Sequence, residues 1–392
     1  MKICALIAEF NPFHSGHEHL IKLIKSQGYT HVIVIMSGNF VQRGEPTIVP
    51  KEYRIKACIE AGADLVIELP VVWALSTAEI YAQAGVKLVN ALGCVDDLVF
   101  GSECGDISAL CNIVQLLEQN KFDDAIKQNL KLGITFAKAR QLAVKQISKH
   151  DHLANLLSYS NNILGVEYIK ALKTLKSNIK PVTFKRLQSN QTKSASQIRE
   201  MILNTDKTYQ EYIPKYSADL IEKALNQCGG IHCLYNNEKA ILSFLKTKTI
   251  AELKALPDIS EGIENKIFKA IESSTDLDAL FKSIKSKRYT MSRIKRIILA
   301  AYLGISKQLT MQSPPYLRVL GTNSKGLKIL KIAKSTATLP IVTKFADVKS
   351  LTPPAQDIFN KECLATDLYS FFGGKILPSG TEKKFKLIKG DL

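Results

Sequence analysis

Through its first hundred residues the chain alternates short apolar runs with amphipathic stretches. KICALIAEF is an apolar run of strand length, and residues 15–27 follow with His17, Leu20, Ile21, Leu23 and Ile24 at helical spacing. The order then repeats. THVIVIMSG predicts a second strand ending in glycine, and KEYRIKACIEAG a helix closed by Gly62. ADLVIELP predicts a third strand stopped by Pro70, STAEIYAQAGVKLVNALG a helix capped by Ser76 or Thr77, and VDDLVFGSE a fourth strand. Apolar runs that are continuous rather than alternating are what strands buried on both faces require. The order therefore predicts an α/β fold, a Rossmann-like doubly wound parallel sheet with helices on both faces. Helical spacing dominates 106–178, PVTFKRL reads as a further strand, and SASQIREMIL opens a helix. Beyond about 205 the strands thin out and the chain reads mostly helical and basic. We expect one region over 1–205 and a second over 206–392, with YIPKYS and QCGGIHC interrupting the pattern between them.

Composition narrows the class. Of 392 residues 46% are hydrophobic, and no apolar run approaches the ~18–20 residues of a membrane span. Ile3–Ala8 is too short for a secretory signal and is interrupted by Glu9 and Asn11. The eight cysteines form no CxxC pair, so neither a zinc site nor a disulfide framework is expected, and reduced thiols of a cytoplasmic protein are. The net charge of +17 is uneven. Residues 1–110 hold 8 Lys and Arg against 12 Asp and Glu, so the whole basic excess lies later. The asymmetry predicts a polyanionic partner such as nucleic acid, although a lysine-rich surface alone also gives such a balance.

In doubly wound sheets ligands gather at the carboxyl ends of the strands. IAEFNPFHSGHEHL lies at such an end. Gly16 permits close backbone approach, and a helix starting near Ser15 aims its N–H groups at the loop, which makes an anion site. His14 and His17 are placed to donate hydrogen bonds to a phosphate and to stabilise charge developing on it. Their spacing is not that of the HExxH zinc helices, so no metal ligand is assigned. Two histidines that merely cap a helix are the plainer alternative. The position between strand and helix favours the phosphate.

NPFHSGH resembles the H-x-G-H signature of the HIGH-motif nucleotidylyltransferase superfamily, related to class I aminoacyl-tRNA synthetases. IAEFNPFHSGHEHL, VIVIMSGNFVQRGEP, AGADLVIELP, FGSE, SNNILGVEYIKAL and SASQIR, in this order, resemble the bacterial tRNA(Met) cytidine acetate ligase family. The likeness is dense over 1–205 and looser through KRYTMSRIKRIIL and RVLGTNSKGLKIL. It implies ATP as a substrate, accompanied by Mg²⁺, with acetate and elongator tRNA-Met as partners. Acetate would be activated as acetyl-adenylate and passed to the wobble cytidine, giving N4-acetylcytidine. A nucleotidylyltransferase acting on a small metabolite would share the first motifs without needing the basic later region. A non-catalytic RNA-binding protein with a relic nucleotide fold is the third class.

The resemblance implies catalytic roles for His14 and His17. It implies ATP contacts along Ile7, Ala8, Glu9, Phe10, Asn11, Pro12, Phe13, His14, Ser15, Gly16, His17, Glu18, His19 and Leu20. It adds Gly101 in FGSE, for nucleotide packed on bare backbone, Asn161 in SNNILG, for an adenine or ribose edge, and Arg186 in FKRL, for phosphate or adenine. Read alone, these are a strand-to-turn glycine, a helix cap and a sheet-end charge. Ser194, Ser196 and Arg199 of SASQIR are assigned to the β- and γ-phosphates. Arg43, Lys51 and Arg54 form a charged loop for acetate, triphosphate or the tRNA backbone. In Lys282–Gly304, Ile294, Ile297, Ile298 and Ala301 are expected to face a core. Lys287, Arg288, Arg293, Lys295 and Arg296 are expected outside, where phosphates are available to them. Tyr289 reads more readily as a core residue of that helix region than as a base-stacking ring.

Overall fold

The computed structural model describes residues 1–187 and 193–391. The first elements appear where the pattern places them: β1 (Ile3–Ala8), α1 (Ser15–Ser26), β2 (His31–Ser37), α2 (Lys51–Glu60), β3 (Leu65–Leu69), α3 (Ala78–Ala91) and β4 (Asp97–Ser102). Thr77 caps α3 by accepting from the Ile80 N–H. Every residue of β2 and β3 is buried, as runs that do not alternate apolar with polar require, and the one charged residue among them is Glu68 of β3. Downstream lie α4 (Phe136–Ser148), α5 (Ser160–Thr174), β5 (Lys180–Lys185) and α6 (Ala195–Leu203), then α7 (Met291–Leu303), β6 (Leu317–Thr322), β7 (Ile341–Val342), α8 (Pro353–Tyr369) and β8 (Ile388–Lys389). Among the described residues no helix is long and apolar enough to cross a membrane.

The sheet order is β8-β6-β3-β2-β1-β4-β5, with β7 paired to β6. β1 runs parallel to both β2 and β4, from Ile3 opposite His31 and from Cys4 opposite Asp97. The chain builds outward from β1 through β2 to β3, then crosses back to lay β4 on the other side of β1. The carboxyl ends of β1 and β4 thus flank the topological switch point, where open α/β sheets leave a crevice. Strands from late in the chain complete the sheet. β6 pairs antiparallel with β3, and β8 lies parallel beyond it.

A buried ionic cluster ties these late elements to the early ones. Lys51 Nζ lies 2.5 Å from Glu68 Oε1 and 2.6 Å from Glu382 Oε1. Arg318 Nη1 lies 2.7 Å from Glu68 Oε2 and pairs with Glu382 through Nη2. Glu362 completes the group, its Oε2 accepting from the Val71 N–H at 2.7 Å. Burial and the charge on Glu68 push the Glu362 carboxyl up to about 8. Burial also acts to raise Glu382, but Arg318 and Lys51 outweigh it and hold that carboxyl at about 2. Two cations therefore face two carboxylates and one neutral acid, so no net charge is buried. Removing one partner of such a set costs about 3–5 kcal/mol.

Candidate active site

Leaving β1, the chain turns at Phe10, whose φ of 51° is left-handed, and enters α1 through His14 in an extended conformation. His14 Nδ1 accepts from the Gly16 N–H at 3.0 Å, and His17 Nδ1 accepts from the His14 N–H at 3.3 Å. The two imidazoles are stacked, with centroids 3.7 Å apart. Phe10 packs edge-on against His17 at 4.8 Å. Burial, then Arg186 and Arg199, push His14 down to about 3. Burial, His14 and Arg186 hold His17 well below the usual histidine range. Both rings are neutral near pH 7, and because each Nδ1 is an acceptor, each proton sits on Nε2. The buried Nε2 of His14 meets no acceptor among the described residues. A buried donor without a partner costs about 1–3 kcal/mol, a penalty that a ligand oxygen would remove. A Cβ on Gly16 would lie 2.9 Å from His14 Cε1. The absence of a side chain there makes room for the His14 ring, a second reason for glycine beside ligand approach.

These residues line a cleft of two adjoining lobes, about 650 and about 580 Å³. His14, His17, Leu20, Gly101, Arg186 and Ser194 border both. Gly16, His19, Lys185, Lys193 and Gln197 line the first lobe. Ile7, Ala8, Glu9, Phe10, Asn11, Arg43, Asn161, Ser196 and Arg199 line the second. Four of the expected contacts lie off the wall. Pro12 and Phe13 are buried beneath the loop, with the Phe13 ring 4.9 Å from that of Phe10. Ser15 lies in the first turn of α1, and Glu18 pairs with Lys22 at 3.0 Å and accepts from Tyr216 Oη.

Arg186 follows β5 and lies over Gly101, where an added Cβ would meet its Cγ at 3.2 Å. Its Nη1 reaches Asn161 Oδ1 at 3.5 Å. Asn161 sits in the first turn of α5, and its Nδ2 donates to Glu103 Oε1 at 2.7 Å. Glu103 also accepts from the Asn161 and Asn162 N–H groups and so caps α5. Ser194 caps α6 through a reciprocal pair with Gln197. Arg199 donates to the Asn11 carbonyl at 2.8 Å and pairs with Glu45 at 3.3 Å. Glu45 in turn takes Lys295 of α7 at 2.8 Å.

Several cations expected to be available for ligand are engaged within the fold. Lys51 belongs to the buried cluster. Arg54, 1% exposed, donates to the carbonyls of Glu9, Ser37 and Gly38 and holds two strand ends together. Arg43 alone of that trio reaches the cleft. On α7, Arg293 and Arg296 pair with Asp258 and Lys295 pairs with Glu45, so these three do not form an open basic face. Tyr289 is 7% exposed and donates to the Glu261 carbonyl, which makes it a core residue. Lys287 and Arg288 are exposed, as expected.

A model of the HIGH nucleotidyl transferase family matches residues 1–383. The tRNA(Met) cytidine acetate ligase of Caldanaerobacter subterraneus subsp. tengcongensis is 42% identical over 387 residues, covering 94% of this chain and 95% of that protein. The enzyme of the same name from Acetivibrio thermocellus is 38% identical over 392 residues, covering 94% of each chain. This chain belongs to the tRNA(Met) cytidine acetate ligase family of HIGH nucleotidyltransferases. The crystal structure of Thermotoga maritima TmcAL bound with α-thio ATP superposes with a TM-score of 0.92 at 29% identity, covering 100% of both chains. The apo form of that protein superposes with a TM-score of 0.93 at 28% identity.

Sequence reading within this family missed three features of the site. Glu103 lies within FGSE, yet its capping of α5 depends on where that helix starts. Tyr81 and Tyr168 line the second lobe from α3 and α5, where they read only as apolar helix positions. The tether from Lys295 through Glu45 to Arg199 joins residues that no local pattern connects.

Proposed function

We infer that this chain is a tRNA(Met) cytidine acetate ligase, acting in the cytoplasm in two steps. An acetate oxygen attacks the α-phosphorus of ATP and pyrophosphate leaves, giving acetyl-adenylate. The exocyclic amine of the wobble cytidine of elongator tRNA-Met then attacks the acetyl carbon. AMP departs, the nitrogen loses a proton, and N4-acetylcytidine forms. Mg²⁺ would accompany the triphosphate and neutralise part of its charge.

The observation that carries this reading is the stacked, neutral His14–His17 pair beside the switch-point cleft. Its Nε2–H groups are suited to the oxygens of the α-phosphate, which gain charge in the transition state. Because the rings are neutral, they act as oriented dipoles, and Arg186 and Arg199 supply positive charge. Arg43 and Lys193 add cations at the rims of the two lobes. Binding both reactants in one cleft removes much of the entropic part of the barrier. On this reading Gly101, Asn161 and Arg186 hold the nucleoside side, and Ser194, Ser196 and Arg199 the outer phosphates.

Pyrophosphate release and AMP formation, measured with acetate and with or without tRNA, test the reading. Acetate-dependent pyrophosphate exchange and tRNA-dependent AMP formation are expected. Exchange driven by another carboxylate or phosphate metabolite, with no response to tRNA, would replace the reading with small-molecule adenylylation.

A further inference from the structure

The residues between Asp124 and Asp151 include no Asp or Glu, and neither do those between Asp278 and Asp347, the longest such stretch of the chain. The first includes Lys127, Lys131 and Lys138, and the second includes Lys285, Lys287 and Arg288. The fold brings them together. The Nε and Nη2 atoms of Arg288 lie 3.6 Å from where a Cβ would sit on Gly133. Arg288, Lys287, Lys131 and Lys138 have no carboxylate partner among the described residues, unlike Arg293, Lys295 and Arg296 nearby in sequence.

At this junction apolar side chains face solvent. Leu132 is 68% exposed and Phe136 is 59% exposed, more than any other aromatic ring among the described residues. Tyr159, at 50%, is next. The two rings lie on one path. Phe136 begins α4, and Gln141, roughly 8 Å further along the helix axis, donates to Ser158 Oγ at 2.9 Å. Tyr159 follows directly, and Ser160 and Asn161 after it line the cleft. Arg140 of α4 pairs with Glu167 of α5, which fixes the two helices to each other.

Exposed aromatic rings beside cations that have no carboxylate partner match the requirements of single-stranded nucleic acid. Rings stack on unpaired bases and cations hold the phosphates. We propose that the junction of loop 131–136 with Arg288, continued by Tyr159, is the surface that docks the single-stranded loop of the RNA substrate and leads its reactive base to the cleft. The proposal rests on the ligase reading and replaces α7 with this junction as the RNA-binding face.

The test measures tRNA binding by fluorescence anisotropy across a KCl titration, beside acetate-dependent pyrophosphate exchange without tRNA and acetylation with it. Phe136→Ala is expected to weaken tRNA binding about tenfold, and Phe136→Trp to stay within about twofold. Lys131→Gln with Arg288→Gln is expected to lower the salt slope by roughly 1.4–1.8. Lys331→Gln with Lys334→Gln, an equal charge change on an exposed helix elsewhere, is expected to leave the slope within about half a unit. Exchange without tRNA is expected to persist in all of them. Equal losses in both double variants would show that net charge alone acts, and would overturn the proposal. Unchanged affinity in Phe136→Ala and Lys131→Gln/Arg288→Gln, with wild-type protein acetylating tRNA, would overturn the docking surface alone and return Leu132 and Phe136 to a protein-facing role. Wild-type protein that neither exchanges pyrophosphate with acetate nor binds tRNA would overturn the ligase reading and the surface together.

Discussion

The His14 and His17 rings lie 3.7 Å apart, and each Nδ1 is occupied by a backbone N–H of the same helical turn. Neither ring is able to turn without giving up a cap of α1, so both Nε2–H groups are held before any ligand arrives. His14→Ala and His17→Ala are each expected to lower acetate-dependent adenylate formation about 10²–10³-fold. Radioactive pyrophosphate exchange checks this, and retained exchange in the double variant would remove the histidines from the chemistry.

The same burial sets an acid limit on stability. The folded His14 has a pKa of about 3, below its unfolded value near 6.5, so between those values the unfolded chain binds the extra proton. This contribution is therefore fully present above about pH 6.5 and is lost as pH drops toward 3. His14→Asn retains a capping side chain without the titration, and its urea midpoint is expected to fall less steeply over that window than the wild-type midpoint. Identical slopes would contradict the assignment.

Glu362 acts at the other end of the scale. Its folded pKa of about 8 lies above the unfolded value, so it favours the folded state at low pH and the contribution is lost as pH rises through 8. Wild-type Tm is expected to lose this contribution between about pH 4.5 and 8 and none of it above, and Glu362→Gln, which still accepts from the Val71 N–H, to decline less over that window. Differential scanning fluorimetry across that range decides it.

Arg186 depends on Gly101 for its position, since an added Cβ would press on Cγ at 3.2 Å. Arg186→Ala is expected to weaken ATP binding about 10–100-fold, the loss typical of a charged hydrogen bond, and Gly101→Val to weaken it by displacing the same guanidinium. Calorimetry with a non-hydrolysable ATP analogue gives the affinities. An Arg186→Ala protein with wild-type affinity would take the residue out of the nucleotide site.

Arg293 and Arg296 converge on Asp258. Replacing either with Ala is expected to lower stability by about 1–3 kcal/mol and to leave the salt slope of tRNA binding unchanged. Thermal melts beside a salt titration separate these outcomes, and a lower slope with an unchanged melt would restore α7 as an RNA-binding face.

Much of this architecture was legible because the determinants are local. β1 to β4 announce themselves as short, mostly apolar runs, and the strand–HxGH–helix order points to the cleft at the end of β1. Charge was the less reliable guide. Lys51, Arg54, Arg293, Lys295 and Arg296 all read as available cations, yet each is held by a group distant in sequence, and pairing across 38 residues for Arg296–Asp258 or 250 for Lys295–Glu45 leaves no periodic trace. The same holds for β6, whose RVLGT lies among basic helices and becomes a sheet strand only through its partner β3.

The Lys51–Glu382 contact spans 331 positions, which at ribosomal rates of about 5–20 residues per second separates the two ends by roughly 15–65 s of synthesis. During that interval α2 and β3 have emerged with Lys51 and Glu68 present but Arg318 and Glu382 still unmade. The nascent sheet has an open edge at β3 and charges with nowhere dry to go. The cleft, though encoded almost wholly in the first half, is thus expected to mature only once the residues from 317 to Glu382 have emerged. A chain stalled before residue 317 is expected to emerge as a client for chaperones rather than as a working adenylating fragment.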